Sequence, residues 1–202
     1  MTDTRHIVVV TAGLSEPSST RLLADLLADA ASSARITTEV VELRPLAHAL
    51  ADNLLTGFAT GELAEAQQKV AQADGLIVVT PVFSASYSGL FKMFFDVLER
   101  GALDGMPVVV AATAGTARHS LVLEHALRPL FSYLHAVVMP TAVFAASEDW
   151  GSEGVGEQLR SRVERAASEL ATAVLARPAT RRLDQFDRDL AAMGDFESLL
   201  KG

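Results

Sequence analysis

Five short runs of apolar, largely β-branched residues punctuate the chain, and a stretch with helical periodicity separates each from the next. The runs are Ile7–Val10, Thr37–Val41, Leu76–Val79, Val108–Ala112 and Ala136–Met139. Three of them are almost wholly apolar, the pattern of parallel strands covered on both faces. Between them lie Ser19–Ser32, Glu62–Ala73, Ser88–Arg100 and His119–His135, each repeating every three to four residues, and Glu157–Ala176 follows. Strands that alternate with helices in this order form a parallel sheet joined by right-handed crossovers.

Five strands within residues 1–177 fit a flavodoxin-like doubly wound α/β sheet better than a six-stranded dinucleotide-binding one. A chain of 202 residues can bury one sizeable core, and with 50% hydrophobic and 21% charged residues it is a packed globule. The 17 basic and 25 acidic residues leave a net charge of −8, so the surface as a whole repels phosphate backbones and anionic lipid. No nucleic-acid or membrane partner is expected. The absence of cysteine removes disulfides, thiolate nucleophiles and Cys-ligated metals together, in keeping with a reducing cytoplasm. The start, Met1–His6, leads into an apolar run too short for a signal sequence or a span, so the expected location is cytoplasmic.

The domain is expected to end at Arg177, where Pro178 breaks the helix. Over 178–202, Leu183, Phe186, Leu190, Met193, Phe196 and Leu199 recur every three or four residues, an amphipathic arm that lies on its own domain or on a neighbouring subunit. From Leu90 to Leu98 seven of nine residues are apolar, while Lys92, Asp96 and Glu99 share one narrow stripe. Such a helix is buried on two sides. One side meets the sheet. The other meets a second copy in a homodimer or homotetramer, or alternatively a deeper core under the arm.

In an open parallel sheet, ligands bind beyond the carboxyl ends of the strands at the point where strand order reverses. Three loops reach that edge. The first, Thr11–Arg21, sets a glycine and then Ser15, Ser18, Ser19 and Thr20 at the start of a helix. Hydroxyls, free N–H groups and the positive end of the helix dipole together suit a phosphate. Capping alone would need one hydroxyl, and this loop offers four. It lacks both the P-loop lysine and GxGxxG spacing. The second loop, Thr80–Gly89, combines Pro81, the aromatic Phe83 and Tyr87, and small residues at 84–86, a wall suited to a flat ring or an ordinary turn whose aromatics enter the core. The third, Ala112–His119, brings small residues and the Thr113 and Thr116 hydroxyls to a ring edge.

These segments carry a resemblance to a known family. The run TPVFSASYSGLFKMFFD from Thr80 to Asp96, the run ATAGTARHS from Ala112 to Ser120 and the serine-rich first loop resemble the NADPH-dependent FMN reductases, over about Ile7 to Trp150. That family has a flavodoxin-like fold and supplies reduced FMN to flavin-dependent monooxygenases. The resemblance implies FMN phosphate at Ser18, Ser19 and Thr20, with Ser15 beside them. It places the isoalloxazine against Pro81, Val82, Phe83 and Ser84, and the pyrimidine edge at Thr113, Ala114, Gly115 and Thr116. The chain departs from the family where Glu16 stands in a loop that commonly carries arginine, and that loop is shorter. A second point of comparison is His125, near the place where sulfonate-linked members carry an inserted residue and a π-bulge.

The five histidines show no metal-ligand spacing with carboxylates, and no GxSxG nucleophile elbow is present. The expected activity is hydride transfer from NADPH or NADH to FMN, with no catalytic acid or base, because the cofactor carries the chemistry and the protein orients it. The alternatives are an FMN-containing quinone or azo reductase of the same fold, or a flavodoxin-like electron carrier.

Overall fold

The structure is a computed structural model that describes residues 4–151 and 154–178. β1 (Arg5–Thr11), β2 (Ile36–Glu42), β3 (Gly75–Phe83) and β5 (Pro107–Ala114) pair in parallel in the order β2-β1-β3-β5; a short β4 (Ser86–Tyr87) folds back on β3. The chain steps from β1 to β2 on one side and then crosses to β3 on the other. The strand order therefore reverses at β1, and the crevice expected there opens beside Thr11, which pairs with Glu42 on one side and Val79 on the other.

Both faces of the sheet are covered, as the apolar runs require. Val8, Val10, Leu76, Val78, Val108 and Val110 point into one core. That face is covered by α2 (Ala47–Thr56), α3 (Gly61–Gln72), α4 (Gly89–Asp96) and α5 (Arg128–Tyr133). Ile7, Val9, Ile77, Val79 and Val109 point into the other, under α1 (Ser19–Ala31) and α6 (Glu157–Ala176). The first core contains a ring cluster in which Phe95 stands 4.7 Å from Phe91 and 4.9 Å from Phe131. Such tilted and edge-on pairs contribute about 0.5–1.5 kcal/mol each beyond their area burial, and they lock α4 to α5.

The fifth strand is longer and more broken than its sequence suggests. Its first piece, β6 (Val137–Val138), pairs with Pro107–Val108; its second, β7 (Val143–Ala146), pairs with Ala111–Ala114 and is the piece that reaches the carboxyl edge. Pro140 between them has no N–H to give the ladder. The freed groups find other partners: Arg128 donates to the Met139 and Pro140 carbonyls at 3.2 and 3.3 Å, and Thr141 N–H donates to Glu169 at 2.8 Å.

Three helices also differ from expectation. α2 is an addition, ended by Gly57 in the left-handed region at φ 79°. α4 stops at Asp96 instead of continuing to Arg100. The segment His119–His135 is composite: a 3-10 turn at Ala117–His119, a π turn at Leu123–Leu127, then α5. Pro129 has no amide hydrogen for the preceding turn, and the Arg128 N–H reaches back five residues to the Leu123 carbonyl, which widens the helix around His125. Glu124 and Arg128 bridge this turn at 2.7 Å. The guanidinium holds the Glu124 carboxyl below its ordinary pKa, so the pair's contribution is present at neutral pH and is lost as pH falls through that lowered value.

α6 ends at Ala176, one residue before the expected boundary; the amphipathic arm over 179–202 lies outside the described residues. No helix among the described residues is long and apolar enough to cross a membrane.

Candidate functional site

The first loop closes tightly on the start of α1. Ser18 is the N-cap: its backbone is extended and its Oγ accepts from the Arg21 N–H at 3.2 Å. Gly13 lies directly under that hydroxyl, and a Cβ built on it would collide with Ser18 Oγ and press on Thr20 Cβ. Space, not backbone conformation, demands glycine here, since its φ is ordinary.

The four hydroxyls of this loop divide. Ser15 and Ser19 are exposed and Ser18 is half-buried. Thr20 is buried, and its Oγ1 shares a hydrogen bond of 2.8 Å with Thr113 Oγ1, which is also buried. The two threonines thus point at each other beneath the loops, tying the first turn of α1 to the end of β5. A hydroxyl pair of this kind leaves a costly unpaired group if either partner is lost.

Beside Ser15 and Ser18 a cleft of about 280 Å³ opens, with Thr11 and Gly13 along its wall. Thr11 Oγ1 is the single buried side-chain polar atom without a hydrogen-bond partner among the described residues. Buried polar groups are nearly always paired, so an orphan hydroxyl on a residue that lines the cleft needs explaining. Arg21, Glu16, Glu42 and Arg44 complete the rim. Arg21 donates to Asp25 at 2.8 Å and also meets Glu42. Its bond to Asp25 raises its pKa above the ordinary value, against a smaller opposing effect of burial. Arg44 pairs with Glu16. Sequence reasoning missed Thr11 and both Glu42 and Arg44. The signal for the last two was their place at the end of the second strand, beside the first in this fold.

The second loop is a hairpin. Phe83 pairs with Ser86, and Ser84 and Ala85 at the tip have φ of 50° and 67°. Both values lie in the left-handed region that side chains rarely adopt, as a two-residue turn between twisted strands requires. Pro81 is buried, Val82 half-buried, and Phe83 is 47% exposed at the edge. Tyr87 belongs instead to the ring cluster, 5.9 Å from Phe91. The base of the hairpin is fixed by buried Thr80, whose Oγ1 accepts from Ser88 N–H at 3.0 Å, while Ser88 Oγ caps α4 through Phe91 N–H at 3.2 Å.

The third loop leaves the sheet at Ala114, with Gly115 and Thr116 exposed. Nothing lies within 4 Å of a Cβ built on Gly115, and its φ is ordinary, so the surrounding protein does not require glycine there. Pro81 pairs with Thr113, which places the second and third loops on adjacent strands. Hydroxyls and a helix start at the switch point, an exposed aromatic edge and an open glycine next to it can hold a phosphate at one end of a molecule and a planar ring at the other.

Comparison with known proteins gives a consistent set of relatives. The model of the NADPH-dependent FMN reductase family matches residues 5–151. An FMN reductase (NADPH) from Pseudomonas aeruginosa is 39% identical over 173 residues, 85% of this chain and 93% of that protein. The NADH-dependent FMN reductase SfnF from Pseudomonas fluorescens is 38% identical over 167 residues, 82% and 89% of the two chains. Among solved structures, an oxidoreductase from Corynebacterium diphtheriae matches with TM-score 0.82 and 47% identity, over 87% of this chain and 100% of that one. An NADH:FMN oxidoreductase in its apo form matches with TM-score 0.79 and 30% identity, over 89% and 95%.

Proposed function

The chain belongs to the NADPH-dependent FMN reductase family, and from that premise we propose where it holds the flavin and what it does with it. The protein is an NAD(P)H-dependent FMN reductase, moving a hydride from the nicotinamide to FMN. The flavin phosphate binds at Ser15, Ser18 and Ser19 beside the N-terminus of α1. The ring lies along Pro81, Val82, Phe83 and Ser84, and its pyrimidine edge meets Ala114, Gly115 and Thr116, just beyond Thr113. The observation that carries this placement is the unpaired, buried hydroxyl of Thr11, a residue that lines the cleft, beside Gly13, where a side chain would have to displace the Ser18 cap.

The residues fit the group. Backbone N–H groups and hydroxyls at a helix start stabilise a phosphate without a lysine. Thr20 and Thr113 act beneath the site, holding the phosphate loop at a fixed distance from the ring-edge loop through their shared hydrogen bond. FMN, when bound, supplies the hydride acceptor; the chain's part is to orient it and to leave room for a nicotinamide over its ring. No side chain need transfer a proton in that step.

The product is reduced FMN that leaves the enzyme and serves a flavin-dependent monooxygenase. The test is turnover in air: NADPH or NADH consumption should be sustained and should scale with added free FMN. Turnover that ignores free FMN and requires a quinone would contradict release and favour a quinone or azo reductase with tightly held flavin.

The assembly is a homodimer or homotetramer in which α4 faces a second copy. Its Leu90 and Met93, and Val97 just past its end, are only half-buried within one chain, although Phe91, Phe94 and Phe95 are fully enclosed. Sedimentation at micromolar concentration should give at least a dimer, and a monomer would refute this arrangement.

A further inference from the structure

Two arginines and two glutamates rim the phosphate cleft, and their pairing is unequal. Arg21 on α1 is held twice, by Asp25 one turn along its own helix and by Glu42 at the end of β2. Arg44 follows β2 and crosses to the first loop, where one nitrogen lies 3.4 Å from the Leu14 carbonyl and the other pairs with Glu16. The Glu16 side chain is 76% exposed, against 41% for Arg44. The loop after the second strand thereby sets a guanidinium on the first loop. A carboxylate of the first loop already occupies it.

We propose that Arg44 is the guanidinium that recognises the flavin phosphate, and that Glu16 is an internal competitor which must leave Arg44 for the phosphate to bind. An exposed ion pair is weak because water screens both charges and two long side chains must be ordered. A phosphate monoester offers more oxygens and more charge than a carboxylate, and a guanidinium can meet it through two parallel hydrogen bonds. Exchange of Glu16 for phosphate on Arg44 is thus favourable but only by a difference. The four charged side chains of the rim cancel, so the cleft has no net positive charge to hold a dianion. This combination gives specificity for the phosphorylated flavin while keeping its affinity moderate, which suits a flavin that must be released. The orphan Thr11 hydroxyl and the close approach at Gly13 mark the same cleft as a ligand site independently of these charges.

The inference rests on the reading that flavin phosphate occupies this cleft, and the test separates the two. Dissociation constants for FMN and riboflavin are measured by flavin fluorescence with the full chain, for the wild type and for Glu16→Gln, Arg44→Gln, the double variant and Ser18→Ala. Glu16→Gln should tighten FMN by about threefold to tenfold, and Arg44→Gln should weaken it by about tenfold or more, with riboflavin unchanged within about twofold in both. In the Arg44→Gln background the gain from Glu16→Gln should vanish, because Glu16 acts through Arg44. Melting of the ligand-free variants confirms folding, and both positions are exposed enough to tolerate the change. A gain that persists without Arg44 is general charge repulsion and overturns the competitor role. Unchanged FMN affinity in Arg44→Gln, with selective FMN loss in Ser18→Ala, overturns the proposal and leaves the cleft as the phosphate site. Equal effects on both flavins in every variant overturn the cleft reading itself.

Discussion

Gly13→Val is expected to lower FMN affinity by about 10- to 100-fold while riboflavin loses far less. The argument is steric before it is chemical. A Cβ at Gly13 collides with Ser18 Oγ and presses on Thr20 Cβ, and the two further methyls of valine add bulk to a place already filled. Rotating Ser18 away removes the helix cap, worth about 1 kcal/mol. Shifting the first turn of α1 instead strains the buried Thr20–Thr113 pair. Either response moves the N–H and hydroxyl groups that hold the phosphate, and each hydrogen bond to a charged group contributes about 1.5–3 kcal/mol. Losing one such bond costs about 1.5–3 kcal/mol, or roughly one to two decades in affinity. Calorimetry with both flavins checks this. The paired variant Gly13→Ala with Ser18→Ala removes the colliding oxygen and should recover the fold while still binding FMN less tightly than the wild type. Equal losses of FMN and riboflavin in Gly13→Val would mean that the phosphate does not bind at this loop.

What could be read in advance follows from which signals are local. The four strands Arg5–Thr11, Ile36–Glu42, Gly75–Phe83 and Pro107–Ala114 all surround runs visible in the sequence, because strands buried on both faces or tightly paired must be apolar wherever they touch a core. β7 escaped because Pro140 divides the fifth strand and the four residues Val143–Ala146 carry no period of their own. α2 escaped because only Leu50 and Asn53 of its ten residues are buried. The hairpin at Ser84 and Ala85 has neither asparagine nor glycine to announce its left-handed backbone.

The site shows the same division. A glycine followed by hydroxyls at a helix start could be recognised from spacing alone, and the structure puts Gly13 and Ser18 in contact range at that point. The inward direction of Thr20 depends on the rotation of α1 against β5, which no local pattern encodes. Arg44 is 28 residues from the Glu16 it meets, and their encounter depends on strand order, since β2 lies beside β1. The resemblance to the family identified loops and chemistry, but the pairing of charges at the rim joins residues far apart in sequence and follows only from the fold.

Nicotinamide is expected to reduce a flavin held at the three loops. A reductase must bring nicotinamide C4 within about 3–3.5 Å of flavin N5, whereas an electron carrier needs only an exposed flavin edge. Anaerobic mixing of the protein and FMN with NADPH, and separately with NADH, distinguishes these with a spectrophotometer. The oxidised flavin band should bleach within seconds with at least one of the two donors. A flavin spectrum that persists with both, while dithionite still bleaches it, would rule out a reductase and leave a carrier in its place.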